Sequence, residues 1–171
     1  MARRFRRIVT GHDAEGRSTF LYDGDAPHVH VPAAEPLVAM TELWRTDATP
    51  ASNQGRADAA EGPLRLPPPK GGSVFRMVEL PPDSQRNYAN LKAIGAGGAH
   101  LEGRRHPGFH KTHTIDYILV VEGEVWALLD TGETLLRAGD VLVQRGTSHA
   151  WSNRSDRRAI IAGVMIDAEP V

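Results

Sequence analysis

The chain of 171 residues contains no cysteine. Disulfide frameworks, thiolate metal sites and cysteine nucleophiles are therefore excluded. It also lacks an excess of charge of either sign: 20 Lys and Arg against 21 Asp and Glu leave a formal net charge of −1. A nucleic-acid partner held by bulk electrostatics is not expected. No apolar run approaches the ~20 residues that a membrane-spanning helix needs, so no membrane partner is expected either. The basic start, Arg3, Arg4, Arg6 and Arg7, is not followed by an apolar stretch. It is no secretory signal; it reads as a solvated tail, and the chain fits a reducing, cytoplasmic setting.

Familiar catalytic signatures are missing too. There is no GXSXG elbow. The GAGG at 95–98 has no strand–GXGXXG–helix unit around it. Ser148 and His149 are sequence neighbours; on a strand they point to opposite faces, which is wrong for a nucleophile and its base. No DNA-reading helix–turn–helix is recognisable.

What is present is punctuation. Seventeen glycines and twelve prolines separate short apolar runs, a pattern that reads as an all-β sandwich or barrel. The length suits one domain with a single core. Residues 5–11 and 18–24 read as two strands joined through HDAEGR, 28–36 as extended chain, and 37–47 as a strand. Residues 51–72 are polar and end in three prolines, long enough for a mobile loop or lid. The alternation at 73–82 predicts a strand. Tyr88, Leu91 and Ile94 stand at helical spacing, so a short helix is expected over 84–94, then a glycine-rich loop over 95–108. From 110 onward six strand candidates follow, broken at Gly and Asp. They leave no room for crossover helices, so their connections are antiparallel.

The chemistry concentrates in HKTHTIDYILVVEGE, residues 110–124. His110 and Asp116 are six steps apart, ~20 Å on a straight strand. Metal–ligand bonds are ~2 Å, so one ion joins them only across a bend between 112 and 116. Thr112-His113-Thr114-Ile115 has no glycine or proline to announce one. Further on, His149, Trp151 and Asn153 share one strand face by period two. His28-Val29-His30 is a second same-face pair that lacks a third partner in sequence.

Residues 108–153 resemble the cupin superfamily, whose motifs are G(X)5HXH(X)3–4E(X)6G and G(X)5PXG(X)2H(X)3N. His110 fills the first histidine place, and Asp116 the glutamate place with Gly123 correctly beyond it. Gly146, His149 and Asn153 reproduce GXXHXXXN. Thr112 stands in the second histidine place, and His113 has no counterpart.

The resemblance implies an all-β double-stranded β-helix, a jelly-roll barrel over 73–171. Residues 1–72 would pack on it as an N-terminal β extension, and one short helix completes the fold. It implies the bend, and with it a divalent metal (Fe, Mn, Ni or Zn) on His110, Asp116 and His149. Two imidazoles and a carboxylate leave open positions suited to oxygenase, lyase or isomerase chemistry. His113 and Thr112 would be catalytic helpers, with His113 left between site and surface. Trp151, Asn153, Gln144 and Trp126 would line the substrate, with Arg145 near the barrel mouth.

Two alternatives stand beside the metal enzyme. One is a metal-free acid–base catalyst of dehydratase or epimerase type; the other is a non-catalytic ligand-binding module. The expected partners are a small-molecule substrate and a second copy in a homodimer.

Overall fold

The computed structural model describes residues 1–33, 37–88, 99–100 and 104–170, with backbone alone at 99–100. The chain forms the expected all-β double-stranded β-helix. Among the described residues thirteen strands run in order: β1 Arg6–His12, β2 Ser18–Asp25, β3 His28–His30, β4 Ala39–Thr46, β5 Ser73–Leu80, β6 Ala99–His100, β7 His110–Lys111, β8 Thr114–Glu122, β9 Glu124–Leu129, β10 Glu133–Arg137, β11 Val141–Arg145, β12 His149–Ser152 and β13 Ala159–Asp167. Among the described residues every strand pairing is antiparallel.

Two sheets face each other. One has the order β11-β8-β13-β5-β4-β3, the other β10-β9-β12-β7-β6. Period two sorts their side chains. On β8, Thr114, Asp116, Ile118 and Val120 are buried while Tyr117, Leu119 and Val121 are exposed. The inward residues Ile118, Val120, Val125, Ala127, Leu136, Ala159 and Ile161 close into one apolar cluster. Gly123 makes the β8–β9 turn with φ 73°, and a Cβ there would meet the Arg158 carbonyl at 2.9 Å. The glycine of the motif is thus required by backbone conformation and by space.

The bend that no local residue announced is a change of sheet. β7 belongs to the five-stranded sheet and β8 to the six-stranded one. The chain crosses between them at Thr112-His113, so His110 and Asp116 lie on opposite walls. Side-chain hydroxyls steady the crossing: Thr112 Oγ1 and Thr114 Oγ1 are 2.8 Å apart.

The N-terminal residues divide. β1 and β2 form a separate hairpin, whereas β3 and β4 extend the barrel's six-stranded sheet. Ala26 and Leu43, with Phe5 beside them, cover Met77 and Ile160 on the outer face of that sheet. The basic start is not a solvated tail. Arg7 is buried and grips Asp58 through both guanidinium nitrogens at 2.8 and 2.5 Å, and it also donates to the Leu43 carbonyl at 3.1 Å. Arg6 pairs with Asp23, Arg4 with Asp25 and Arg3 with Glu122. Alternate positions of a strand need partners, and acidic residues on the neighbouring elements supply them.

The 51–72 segment is a loop without strands, as expected, yet it is pinned. Besides Arg7–Asp58, Tyr22 donates to the Arg56 carbonyl at 2.6 Å and Arg56 to the His12 carbonyl at 2.8 Å. The helix expected over 84–94 begins as a three-residue 3-10 turn, Asp83–Gln85. The rest of that span from 89 onward, with the GAGG at 95–98, lies outside the described residues.

Candidate functional site

Two histidines meet inside the barrel. β12 pairs with β7 so that His149 stands directly opposite His110. Their ring centroids are 4.3 Å apart. Each ring is oriented from behind by a carbonyl: His110 Nδ1 lies 2.9 Å from the Gly108 oxygen, and His149 Nδ1 lies 2.9 Å from the Thr147 oxygen. A carbonyl only accepts, so each Nδ1 carries the proton. In the neutral rings Nε2 is then the basic nitrogen on both. His149 is 4% exposed. Burial, helped by His110 beside it, brings its pKa down to about 4, while the bond to Thr147 pulls weakly the other way. At neutral pH His149 is an uncharged base.

Asp116 faces this pair from the other sheet. It is 4% exposed, and its Oδ1 has no hydrogen-bond partner among the described residues. Burial pushes its pKa up to about 6; the Thr114 hydroxyl and the charge of Arg76 act in the opposite direction. Gln144 is paired with Asp116 across β11–β8 and is buried beside it. Trp151, two residues on from His149, meets that ring edge-on at 5.8 Å. Thr112 is buried behind Asp116 and reaches it through Thr114.

Of the expected metal triad, the two imidazoles stand together on one sheet and Asp116 lies on the other. Among the described residues no three His, Cys, Asp or Glu side chains gather closely enough to hold an ion. The two imidazoles meet because they share a sheet. Asp116 stands across the barrel, and its side chain is one methylene shorter than the glutamate of the motif. The described donor set is two nitrogens, short of the three protein ligands typical of a catalytic zinc.

Three further expectations are corrected. His113 is exposed, because the sheet crossing keeps its alternation and turns it outward; its backbone carbonyl accepts from Ala168 N–H at 3.0 Å. Asn153 is buried but fully committed to structure. It donates to the carbonyls of Leu80 and Arg157 at 2.9 and 2.7 Å and accepts from Ser155, so it does not line the cavity. Trp126 lies on the outer face of its sheet. There it packs on Phe109, Leu128 and Ala150, and the Arg154 guanidinium sits 4.5 Å over its ring. Arg145 is exposed on β11.

Comparison with known proteins places the chain. No family model matches it. Over 96% of its length it is 33% identical to "Phomopsin biosynthesis cluster protein C'" of Diaporthe leptostromiformis, covering 79% of that protein. Over 95% of its length it is 30% identical to the cupin-domain-containing oxidoreductase srdD of Neurospora crassa, covering 74% of it. The chain belongs to the cupin superfamily. A solved cupin 2 conserved barrel domain protein from Salinispora arenicola overlaps 56% of this cupin and 64% of its own chain, at 16% identity and a TM-score of 0.37. In this cupin, then, the barrel interior carries two facing histidines, His149 with a lowered pKa, on one wall and a carboxyl with a raised pKa on the other. Among the described residues no helix is long and apolar enough to cross a membrane.

Proposed function

We propose that this cupin is a small-molecule enzyme that moves protons at a carbon next to a carbonyl, of isomerase, epimerase or dehydratase type. The observation that supports this reading is the inverted pair of proton affinities inside one barrel: His149 at about 4 and Asp116 at about 6. Between those values the histidine is neutral while the carboxyl still holds its proton. A base and an acid then coexist on opposite walls, the arrangement that general acid–base catalysis needs.

In the forward step His149 Nε2 takes the proton from the substrate carbon as its C–H bond breaks. The electron pair moves into the carbonyl, and Asp116 gives its proton to the oxygen. The product is a neutral enol. Asp116 then takes back the enol O–H proton as the carbonyl re-forms: the electron pair collects the proton of His149 at a different carbon in an isomerisation, or at the other face once the enol has turned in an epimerisation, or expels a β-hydroxyl that leaves as water with the proton of His149 in a dehydration. His110, 4.3 Å away between ring centroids, adds to the lowering of the His149 pKa. Thr112 and Thr114 hold the acid in place, and Trp151 offers a flat wall.

The test uses the full chain after exhaustive chelation, with its metal content read by elemental analysis. Small β-keto esters and 1,3-diketones are incubated with it in D2O, and exchange of the α-hydrogen is followed by NMR. Exchange catalysed by the metal-free protein is expected. It should fall on the order of 100-fold or more in His149→Gln and in Asp116→Asn, with a rate maximum between about pH 4 and 6. Exchange that appears only after Fe, Mn, Ni or Zn is restored would overturn the metal-free reading.

A second reading keeps a divalent metal. It is favoured by the two Nδ1–carbonyl bonds, which present both Nε2 atoms as metal-binding histidines are presented. The backbone register that pairs His100 with His110 on the side away from His149 also favours it, as do the relatives whose names carry the word oxidoreductase. About one equivalent of metal in untagged protein, lost in His149→Ala with the fold intact, would establish it.

A further inference from the structure

The barrel holds a third charged feature. β5 sends Val74, Arg76, Val78 and Leu80 inward in alternation. Leu80 and Val78 join the apolar cluster that closes the far end. Arg76 is 2% exposed, on the inner face of the same sheet as Asp116. Across the sheet it is paired with Gly163, and Gly163 with Ile118; Asp116 stands one inward position along β8 from that row. The row between them holds Gly163, which has no side chain, and Ile118. A Cβ at Gly163 would press on Ile118 at 3.2 Å. Each group accordingly acts on the proton affinity of the other.

Arg76 is incompletely satisfied. Its Nη2 donates to the Arg65 carbonyl of the 51–72 loop at 2.6 Å. Its Nε lies 3.0 Å from Glu42 Oε1, but out of line for a hydrogen bond. Nε and Nη1 find no acceptor among the described residues, and neither does Glu42 Oε1 a donor. The charges do not balance either. Glu42, 0% exposed, faces two guanidiniums: Arg76, and Arg45, whose Nε is 3.0 Å from Oε2. Two cations thus share one anion in a place shielded from water. A buried guanidinium with spare N–H groups and surplus positive charge is costly unless something negative completes it. Asp116 is the nearest further candidate on this face, yet it makes no ion pair with Arg76.

We propose that Arg76 is the anchor for an anionic oxygen of the substrate, so that the molecule taken into the barrel is a small carboxylate, such as a keto acid. Nη1, on the edge of the guanidinium away from Nε–H, is the donor left for that oxygen. Glu42 lies beside Nε, the Arg65 carbonyl accepts from Nη2, and the substrate's far end extends toward Asp116. The 51–72 loop is therefore part of the binding site, through the carbonyl of Arg65. The proposal rests on the reading that the barrel interior is the small-molecule site, but its test needs no turnover.

The probe is benzoate, with benzamide as its uncharged counterpart, titrated into full-length protein labelled with 15N. Binding is read from the arginine Nε–H signals, with that of Arg76 identified by its loss in Arg76→Lys. Benzoate is expected to shift the Arg76 signal and benzamide to leave it in place. Benzoate affinity should drop about ten-fold or more in Arg76→Met and stay unchanged in the surface variant Arg154→Met. Should Arg76→Met fail to fold, the double variant Glu42→Gln with Arg76→Gln, which removes both buried charges together, takes its place. Equal binding of benzoate and benzamide, benzoate binding that survives loss of Arg76, or no binding by wild type would each overturn the proposal. Asp116→Asn should keep benzoate binding. If hydrogen exchange fails there while benzoate still binds, the anchor stands apart from the acid–base chemistry; if neither is seen in wild type, both readings fall.

Discussion

The two ends of the barrel are built from the same strands to opposite purposes. β8 begins with Thr114 and Asp116 and goes on to Ile118 and Val120; β5 passes from Arg76 to Val78 and Leu80. β12 and β9 set His149 toward one end and Val125 toward the other. At the closed end the inward positions are aliphatic and pack on one another. At the site end they are imidazole, carboxyl and guanidinium, several with polar atoms that find no partner. Burial stabilises the first set, by roughly 1.5–3 kcal/mol for each large aliphatic side chain. It works against the second, pushing His149 down and Asp116 up from their ordinary proton affinities. One end maintains the fold, and the other holds groups that the fold makes reactive.

The comparison can be broken or sharpened by substitution. The largest stability effect is expected from Glu42→Ala, which leaves two guanidiniums without their shared carboxylate. It should cost about 3–5 kcal/mol in urea unfolding. A loss under about 1 kcal/mol would show that the cluster is hydrated and the site end less strained than described. At the closed end Ile161→Ala, 3% exposed, should cost about 2–5 kcal/mol through transfer and cavity terms and leave benzoate binding unchanged.

Asp116→Asn should move stability the other way. In the folded chain this carboxyl has its pKa raised from 3.8 to about 6, so the native state binds the proton more tightly than the unfolded one. The cost of the buried charge is absent below about pH 4, grows as pH rises through 6, and is full above that. The variant should therefore unfold like wild type near pH 4 and be more stable by roughly 2–3 kcal/mol at pH 7. Equal stability at both pH values would mean that Asp116 is solvated. His149 has the opposite dependence: with its folded pKa lowered to about 4, its penalty develops as pH falls from 6.5 toward 4. The smallest effect belongs to Thr112→Val, which removes one hydroxyl of the pair behind Asp116. A loss of about 1 kcal/mol is expected, together with a displaced acidic limb in the exchange profile.

Much of the closed end was legible from the sequence. Glycine-marked turns and period-two alternation located the strands from 110 to 168, and the spacing Asp116 to Gly123 fixed where β8 turns. The site end was legible only in part. His149 and Trp151 followed from alternation, but the sheet crossing at Thr112-His113 is made by threonine hydroxyls and carries no glycine or proline. The spacing motif names His110, Asp116 and His149 but does not report which wall each lands on: two share one sheet and Asp116 lies on the other. Trp126 and Asn153 were misplaced for lack of strand parity in one case and of the Leu80 and Arg157 carbonyls in the other. Arg76 and Glu42 went unnoticed inside SVFRMVEL and LVAMTELW, which read as ordinary strands. A signal was there: Arg76 shares the parity of Val74, Val78 and Leu80, an arginine on an otherwise apolar face.

The central claim is that His149 is a neutral base opposite a protonated acid. It is tested most directly by a 15N NMR titration of the imidazoles from pH 8 to 4. The account predicts that His149 keeps its proton on Nδ1 throughout and begins to take a second only near pH 4. Titration near 6.5, or a proton resident on Nε2, would contradict it.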